Sequence, residues 1–440
     1  MIELLKKSFF KEPDKIAYAT SSESITFKRL WSDASKLAFK LRGSEKPVII
    51  KGHKQVYMIT SFLACIMASR PYIPCDSSLP EARIKKIAAL SGADTVLDGS
   101  LSCDGEALTE FSENDEDTVY IIYTSGSTGE PKGVPILRGN LKAFIKWITS
   151  LPALESAKGK TVLNQAIFSF DLSVADIYFS LCTSSTLFAL TSDEEKDPAL
   201  ITRLIEKSQA TAAVMTPTFA KYCMTAPEFQ RANIPCLSSI FFCGELLEPK
   251  TAAKLFDRFS DIRIINAYGP TEATCAVTAS EITKNDLMGE YRPCGDVKNS
   301  TCKIEISDGE IALRGESVFK GYLGCERLKG RYMTGDKGEI TDDKLFCFGR
   351  KYGYIKYKGY RIELEEIRRS ISKIENVEQC SVFTIGENPV LGIAACVTAE
   401  NLTESGIKEK LLCELPPYMI PKTVKIRNKI SFNGNGKQDF

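Results

Sequence analysis

The chain has 440 residues, a length of roughly three domains at about 150 residues each, or of one large α/β body with an appendage. Hydrophobic residues make up 43% and aromatics 9%, ordinary globular composition that excludes a disordered or fibrous chain. Lys+Arg number 57 against 56 Asp+Glu, and a net charge of +1 argues against a protein that holds nucleic acid or an anionic membrane by bulk charge.

From the N-terminus, MIELLKKSFFKEP has no long apolar core and no small-residue cleavage site, so no signal peptide is expected. Val48–Ile50 reads as a strand ahead of an apolar helix at 55–69. That stretch holds Thr60 and Ser61 and has the length of a core helix, so no membrane insertion is expected. Tyr72–Pro74 precedes a helix over Pro80–Leu90, with Pro80 in the first turn. Thr118–Tyr123 is a continuous apolar run suited to a strand buried on both faces. Further strands are expected at Leu187–Leu190, Ala212–Met215, Ile240–Phe242 and Ile262–Ile265, with helices at 197–208, 217–225 and 249–259. This alternation implies a mostly parallel sheet wrapped by helices.

The period changes near residue 300. Lys303–Ile306, Ile311–Arg314 and Lys344–Phe348 are short strands parted by turn residues, as in a small antiparallel or barrel-like subdomain. After Gly349 come a strand near 354–358, a helix at Glu363–Ile374, strands near 378–384 and 391–398, and a helix at 403–414. These divide the chain into residues 1–349 and 350–440. The 15 cysteines are odd in number and form no CxxC pair, so neither a disulfide framework nor a zinc site is expected. A reducing cytosol suits them, and the expected location is cytoplasmic.

The strongest chemical signal is Tyr123-Thr-Ser-Gly-Ser-Thr-Gly-Glu-Pro-Lys132-Gly-Val. A strand runs into a loop dense in Gly, Ser and Thr. Glycines let successive N–H groups converge on one point, hydroxyls add donors, and Lys132 adds positive charge, which together suit a polyphosphate. It is not a Walker A loop, because Pro131 precedes the Lys and Gly133 follows it. On composition alone it is equally a flexible polar loop.

As an ordered string it resembles the phosphate loop of the adenylate-forming enzymes: acyl-CoA synthetases, luciferases and nonribosomal peptide adenylation domains. More segments of that family follow in order. They are Tyr72-Ile-Pro-Cys-Asp76 with Pro80 and Arg83, Phe170-Asp-Leu-Ser173, Asn266-Ala-Tyr-Gly-Pro-Thr-Glu272, Gly321-Tyr-Leu323, Tyr332-Met-Thr-Gly-Asp336, Gly349-Arg350, Lys356…Gly359-Tyr-Arg-Ile-Glu-Leu364 and Asn435-Gly-Lys437. The resemblance implies an α/β fold. It consists of a large N-terminal domain of parallel-rich sheets with helices plus a small β subdomain, and a small mobile α+β C-terminal domain.

It also implies residue roles. Thr124, Ser125, Gly126, Ser127, Thr128, Gly129 and Lys132 would hold the phosphates of ATP, with Thr128 at the reacting end. Asn266, Ala267, Tyr268, Gly269 and Thr271 would line the adenosine. Asp336 would accept from the ribose hydroxyls, beside Arg350. Glu272 would carry Mg²⁺ against phosphate oxygens. Lys437 would bridge the substrate carboxylate and the α-phosphate, Lys351 and Tyr352 would form the hinge, and a GRxD hinge Asp is replaced by Tyr352. From local sequence alone an isolated Gly-Pro-Thr-Glu favours a solvated loop residue at Glu272, the competing reading of Tyr268 is a packed turn residue, and that of Arg350 is a surface ion pair at the hinge.

Asp171 sits where amino-acid-activating members bind the α-ammonium; the competing local reading is an N-cap for the next helix. The carried-over pocket is Asp171, Leu172, Ala175, Val214, Phe241, Cys243, Ala267, Cys275, Ala276 and Lys437, apolar but for its ends, so a charged substrate side chain would go unpaired. Phe168–Ile177 and Phe242-Cys-Gly-Glu245 are especially similar to D-alanine:carrier-protein ligases. In that family a Cys at the position of Cys243 contributes to the choice of D- over L-alanine. Ala175 replaces an expected Met and Cys275 an expected Val, and the common His after the phosphate loop is Arg138.

The implied reaction joins ATP and a small amino acid, D-alanine foremost, as an aminoacyl-adenylate. The acyl group then passes to the phosphopantetheine thiol of a separate carrier protein. Alternatives left open are a stand-alone peptide-synthetase-type adenylation enzyme for another small apolar amino acid, an acyl-CoA ligase, and a non-catalytic nucleotide-binding protein.

Overall fold

The computed structural model describes all residues except 126–129, 351–353, 358–359, 387–389, 391, 400, 428–430, 433–437 and 440. The chain forms two compact units, each drawn from several segments. The first comprises Met1–Asp76, Gly92–Ile122 and Val134–Lys351; the second comprises Ser77–Ser91, Tyr123–Gly133 and Tyr352–Phe440.

The first unit is built on an eight-stranded sheet. Its order is Thr278–Ile282, Arg263–Tyr268, Ser239–Phe242, Ala210–Met215, Thr161–Asn164, Thr186–Ala189, Ile16–Ala19 and Ser24–Thr26. The inner pairs are parallel and both edge strands are antiparallel. Along the central residues of these strands side chains alternate between two cores, as the pleat requires. Ala212, Val214, Phe241, Ile265 and Ala267 face one core, while Ala213, Met215, Ile240, Phe242 and Ile264 face the other. Both faces are dry, which is why these strands read in sequence as unbroken apolar runs.

A five-stranded sheet runs Thr95–Leu97, Val48–Gly52, Tyr72–Asp76, Thr118–Thr124 and Lys132–Leu137. The helix Val56–Met67 against it is buried on all sides from Met58 on, as its apolar sequence dictates. Past residue 290 the expected subdomain is an open antiparallel sheet of five strands, ordered Pro293–Asp296, Lys344–Arg350, Tyr332–Thr341, Glu310–Arg314 and Lys303–Ser307. Pro293–Asp296 carries too little periodicity to announce itself.

In the second unit the hairpin Tyr354–Tyr357/Tyr360–Glu363 leads into the helix Leu364–Ser372. A sheet of Val377–Ile385, Gly392–Ala399 and Thr423–Ile426 follows, with the helix Glu404–Leu412. Ile362, Ile367, Ile371, Val397, Ile407 and Leu411 form its core. The helix Glu81–Ser91 belongs to this unit although it lies far away in sequence.

Candidate active site

Parallel strands of the large sheet end at Met215, Phe242 and Tyr268, and the expected residues Val214, Phe241, Cys243, Ala267, Tyr268 and Glu272 sit at, near or just past these ends, where open α/β sheets bind ligands. Tyr268, the last residue of its strand, donates its hydroxyl to Asp336 Oδ2 at 2.8 Å. Burial, and then the Asp336 charge, push the Tyr268 phenol well above its usual range. The other oxygen, Asp336 Oδ1, accepts from Arg350 Nη1 at 3.0 Å. Arg350 also donates to the Thr334 carbonyl.

Asp336 is not in a turn, as its Thr-Gly-Asp setting predicts, but inside the long strand Tyr332–Thr341. The pairing with the neighbouring strand jumps from Ala312↔Met333 to Glu310↔Lys337, so extra residues bulge out at 334–336. The bulge re-aims the Asp336 side chain toward Tyr268. Gly335 makes it possible: its φ is +75°, and a Cβ there would lie 2.9 Å from the Arg350 guanidinium.

Glu272 is fully buried in a short 3-10 turn, Thr271–Ala273. Its Oε1 accepts from Tyr322 Oη at 2.6 Å, and its carbonyl accepts from Phe319 N at 2.7 Å. The backbone then turns through two left-handed residues, Thr274 (φ 61) and Cys275 (φ 71). Such conformations are strained for non-glycine residues and mark functional segments. Thr274 Oγ1 to Ser317 O at 2.7 Å and Val277 N to Tyr268 O at 2.8 Å hold them in place. The turn packs on Gly269, where a Cβ would stand 2.5 Å from Ala276 Cα.

Leu172, Ala175, Val214, Phe241, Cys243, Ala267, Cys275 and Ala276 all belong to one buried apolar cluster. Asp171 is buried at its margin. It does not cap the following helix: Ser173–Cys182 has its N-cap at Leu172 with no side-chain cap. The first-turn amides of Ser173, Val174 and Ala175 go instead to the carbonyls of Phe170, Asp171 and Leu172. Cys243 Sγ meets the Cys275 carbonyl at 3.7 Å, and the contact of the two thiols, then burial, push the Cys275 thiol up.

Two expected roles look different in detail. The Asn266 side-chain amide donates to the Pro293 carbonyl at 2.9 Å, so this donor fastens the β subdomain strand. Arg138, which stands where the family commonly has His, is almost fully buried and pairs with Glu113 at 3.2 Å.

Sequence reasoning missed three contributors. Tyr322 was visible in the Gly-Tyr-Leu string, but nothing local ties it to Glu272, fifty positions earlier. Tyr120 places a buried hydroxyl, with no hydrogen-bond partner among the described residues, within electrostatic reach of Cys275 and Asp171. Its position amid the apolar strand Thr118–Thr124 was the available signal. Asp176, fully buried, accepts from Asn164 Nδ2 at 2.9 Å, and burial pushes its carboxyl well above the usual range.

The phosphate-loop segment belongs to the second unit. Thr124 ends one strand and Lys132 begins the next. The Ser125 hydroxyl donates to the Arg361 carbonyl at 2.8 Å and accepts from Glu363 N at 3.2 Å. The expected roles of Gly126, Ser127, Thr128, Gly129, Lys351, Tyr352 and Lys437 fall outside the described residues.

Comparison with known proteins follows the same lines. The model of the family described as AMP-binding enzyme matches residues 5–113 and 104–323. A D-alanine--D-alanyl carrier protein ligase of Bacillus licheniformis is 39% identical over 493 aligned positions, covering 100% of this chain and 98% of that protein. One from Staphylococcus epidermidis is 34% identical, covering 100% and 97%. Among solved structures, the Vibrio cholerae adenylation domain AlmE in complex with glycyl-adenosine-5'-phosphate superposes with a TM-score of 0.86. It is 20% identical and covers 98% of this chain and 95% of that one, which shows a shared fold. The chain belongs to the AMP-binding enzyme family, with D-alanine--D-alanyl carrier protein ligases as relatives along its full length.

Proposed function

We propose that the chain activates D-alanine with ATP and passes it to the phosphopantetheine thiol of a separate carrier protein. The full-length likeness to D-alanine--D-alanyl carrier protein ligases carries this reading. The residues support it: Asp171 is a buried carboxylate, and its carried-over companions Leu172, Ala175, Cys243 and Cys275 are buried and apolar. A small zwitterion fits that chemistry, its ammonium on Asp171 and its methyl among apolar groups. A charged side chain would be buried unpaired.

In the first step a carboxylate oxygen of the substrate attacks the α-phosphorus, and the bond to pyrophosphate breaks. In the second, the carrier thiolate attacks the carbonyl carbon, and AMP leaves with the acyl-phosphate oxygen. No protein nucleophile is needed; the protein positions the partners and stabilises charge. Tyr268 and Asp336 serve the adenosine, with Arg350 holding Asp336. Glu272 is a hard oxygen ligand suited to Mg²⁺, which would neutralise phosphate charge. Thr124 to Gly129 and Lys132 serve the phosphates. Lys437 supplies the cation between the two anions, and residues 350–440 act as a lid turning at Lys351 and Tyr352. A cytoplasmic location fits ATP use and fifteen free cysteines, and no helix among the described residues is long and apolar enough to cross a membrane.

The test is amino-acid-dependent pyrophosphate release with ATP and Mg²⁺ across D- and L-alanine, glycine, serine and the remaining amino acids. A D-alanine preference is the expected result. Preference for another amino acid overturns the substrate and keeps the chemistry; no release with any amino acid overturns both.

A further inference from the structure

The second unit gathers three segments that are remote in sequence, and every pair of them is bridged. Arg83, on the helix Glu81–Ser91, forms a buried ion pair with Glu366 on the helix Leu364–Ser372. Lys86, one turn further along the first helix, reaches Glu130 just past the phosphate loop at 2.5 Å. Ser125, at the start of that loop, is bonded through its hydroxyl to Arg361 O and Glu363 N, three residues and one residue before the second helix. Helix, loop and hairpin thus close a triangle.

Two features show what the Arg83–Glu366 side of the triangle does. First, burial raises the Glu366 carboxyl despite the Arg83 charge, and Glu366 Oε2 has no hydrogen-bond partner among the described residues. Desolvation outweighs attraction, so the pair adds little net stability, while its geometry is specific. Second, the arrangement it closes occupies the Ser125 hydroxyl with backbone groups. A hydroxyl expected to serve a phosphate is here turned to the Tyr360–Glu363 strand.

We propose that Arg83 and Glu366 are positioning residues, a reversible latch that holds the phosphate-loop segment and the 360–366 segment together for the thiol-transfer half-reaction and must open for ATP to be received. The proposal rests on the two-step reading above. The latched form cannot offer Ser125 to a phosphate, so it is the form adopted after the adenylate has been made. A pair of nearly balanced energy suits a contact that is made and broken in each turnover.

The experiment uses the full chain and measures both half-reactions. The variants are Arg83→Met, Glu366→Gln and the charge-exchanged double variant Arg83→Glu/Glu366→Arg. One readout is D-alanine-dependent exchange of pyrophosphate into ATP, the other is single-turnover loading of the carrier thiol. Loading is expected to fall about tenfold or more in both single variants while exchange stays within about twofold, and the exchanged pair is expected to recover loading. Equal loss of both half-reactions would mark a merely structural pair and overturn the proposal, as would unchanged loading. Arg83→Met leaves a Glu366 that can protonate, whereas Glu366→Gln leaves the buried Arg83 guanidinium charged against a neutral amide. Thermal unfolding checks that each variant folds, and Arg83→Met decides where Glu366→Gln does not. Wild-type exchange and loading are scored separately: their absence overturns the D-alanine reading, whereas the latch is judged by the ratio of the two activities with whichever amino acid supports them.

Discussion

Tyr322 Oη donates to Glu272 Oε1 at 2.6 Å, so a residue of the antiparallel subdomain's approach loop fixes the orientation of the one carboxylate in the Gly-Pro-Thr-Glu turn. In the proposed reading Glu272 would hold Mg²⁺, and an outer partner of such a carboxylate sets its direction and basicity. Tyr322→Phe should therefore weaken the apparent Mg²⁺ affinity by roughly 10- to 100-fold, the usual range for such partners. Magnesium titration of pyrophosphate release checks this; an unchanged curve would detach Tyr322 from the metal.

Asp171 is buried, and the helix it precedes has no side-chain cap. Asp171→Asn should raise the KM for D-alanine by roughly 30-fold or more, since losing one partner of a buried charge pair costs about 2–5 kcal/mol. Initial rates of pyrophosphate release against D-alanine concentration give the answer. Thermal unfolding should hardly move, because no helix cap is lost.

Cys243 meets the Cys275 carbonyl, and both residues are buried; in the proposed reading they border the substrate methyl. Cys243→Gly removes a thiomethyl group there and should lower the D-over-L preference by about tenfold, the scale of one methylene in an apolar pocket. Parallel progress curves with the two enantiomers decide it, and an unchanged ratio would remove Cys243 from chiral choice.

The Tyr120 hydroxyl is buried without a hydrogen-bond partner among the described residues. Tyr120→Phe should leave stability unchanged or raise it by about 1 kcal/mol, because the desolvation of an unmade hydrogen bond is relieved. Urea denaturation measures this. A marked loss would reveal a bond to that hydroxyl.

Burial raises the Asp176 carboxyl above its unfolded value. A raised folded pKa means that the folded chain holds this proton more tightly. The stabilising contribution is then complete below the unfolded pKa and is lost as pH rises through the folded one. Asp176→Asn should abolish this part of the pH dependence and give the larger relative stability on the alkaline side. Chemical denaturation from pH 5 to 9 compares the two slopes, and parallel slopes would refute the assignment.

Legibility in the sequence followed locality. Asp171, Tyr268 and Glu272 were readable because each ends a contiguous string beside a strand end. The alternating cores of the large sheet were readable because dry strands leave apolar runs. The setting of Asp336 is not legible in Thr-Gly-Asp, because the bulge is fixed by the partner strand, at Glu310 and Ala312. The partners of Tyr322 and Arg83 were hidden because pairings across 50 and 283 positions leave no periodic trace. Arg138 stood out as a departure from the family, but only the fold showed that Glu113 accepts it.

The discontinuous make-up of the second unit bears on how the chain is born. Residues 77–91 and 123–133 leave the ribosome long before residues 352–440, and at about 5–20 residues per second the wait lasts many seconds. An apolar side chain at position 83 would spend that interval as exposed greasy surface, open to wrong partners. Arg83 waits hydrated, and Glu366 arrives hydrated in turn. A buried ion pair, indifferent to final stability, thus lets a nascent chain keep a long-delayed contact open without inviting aggregation.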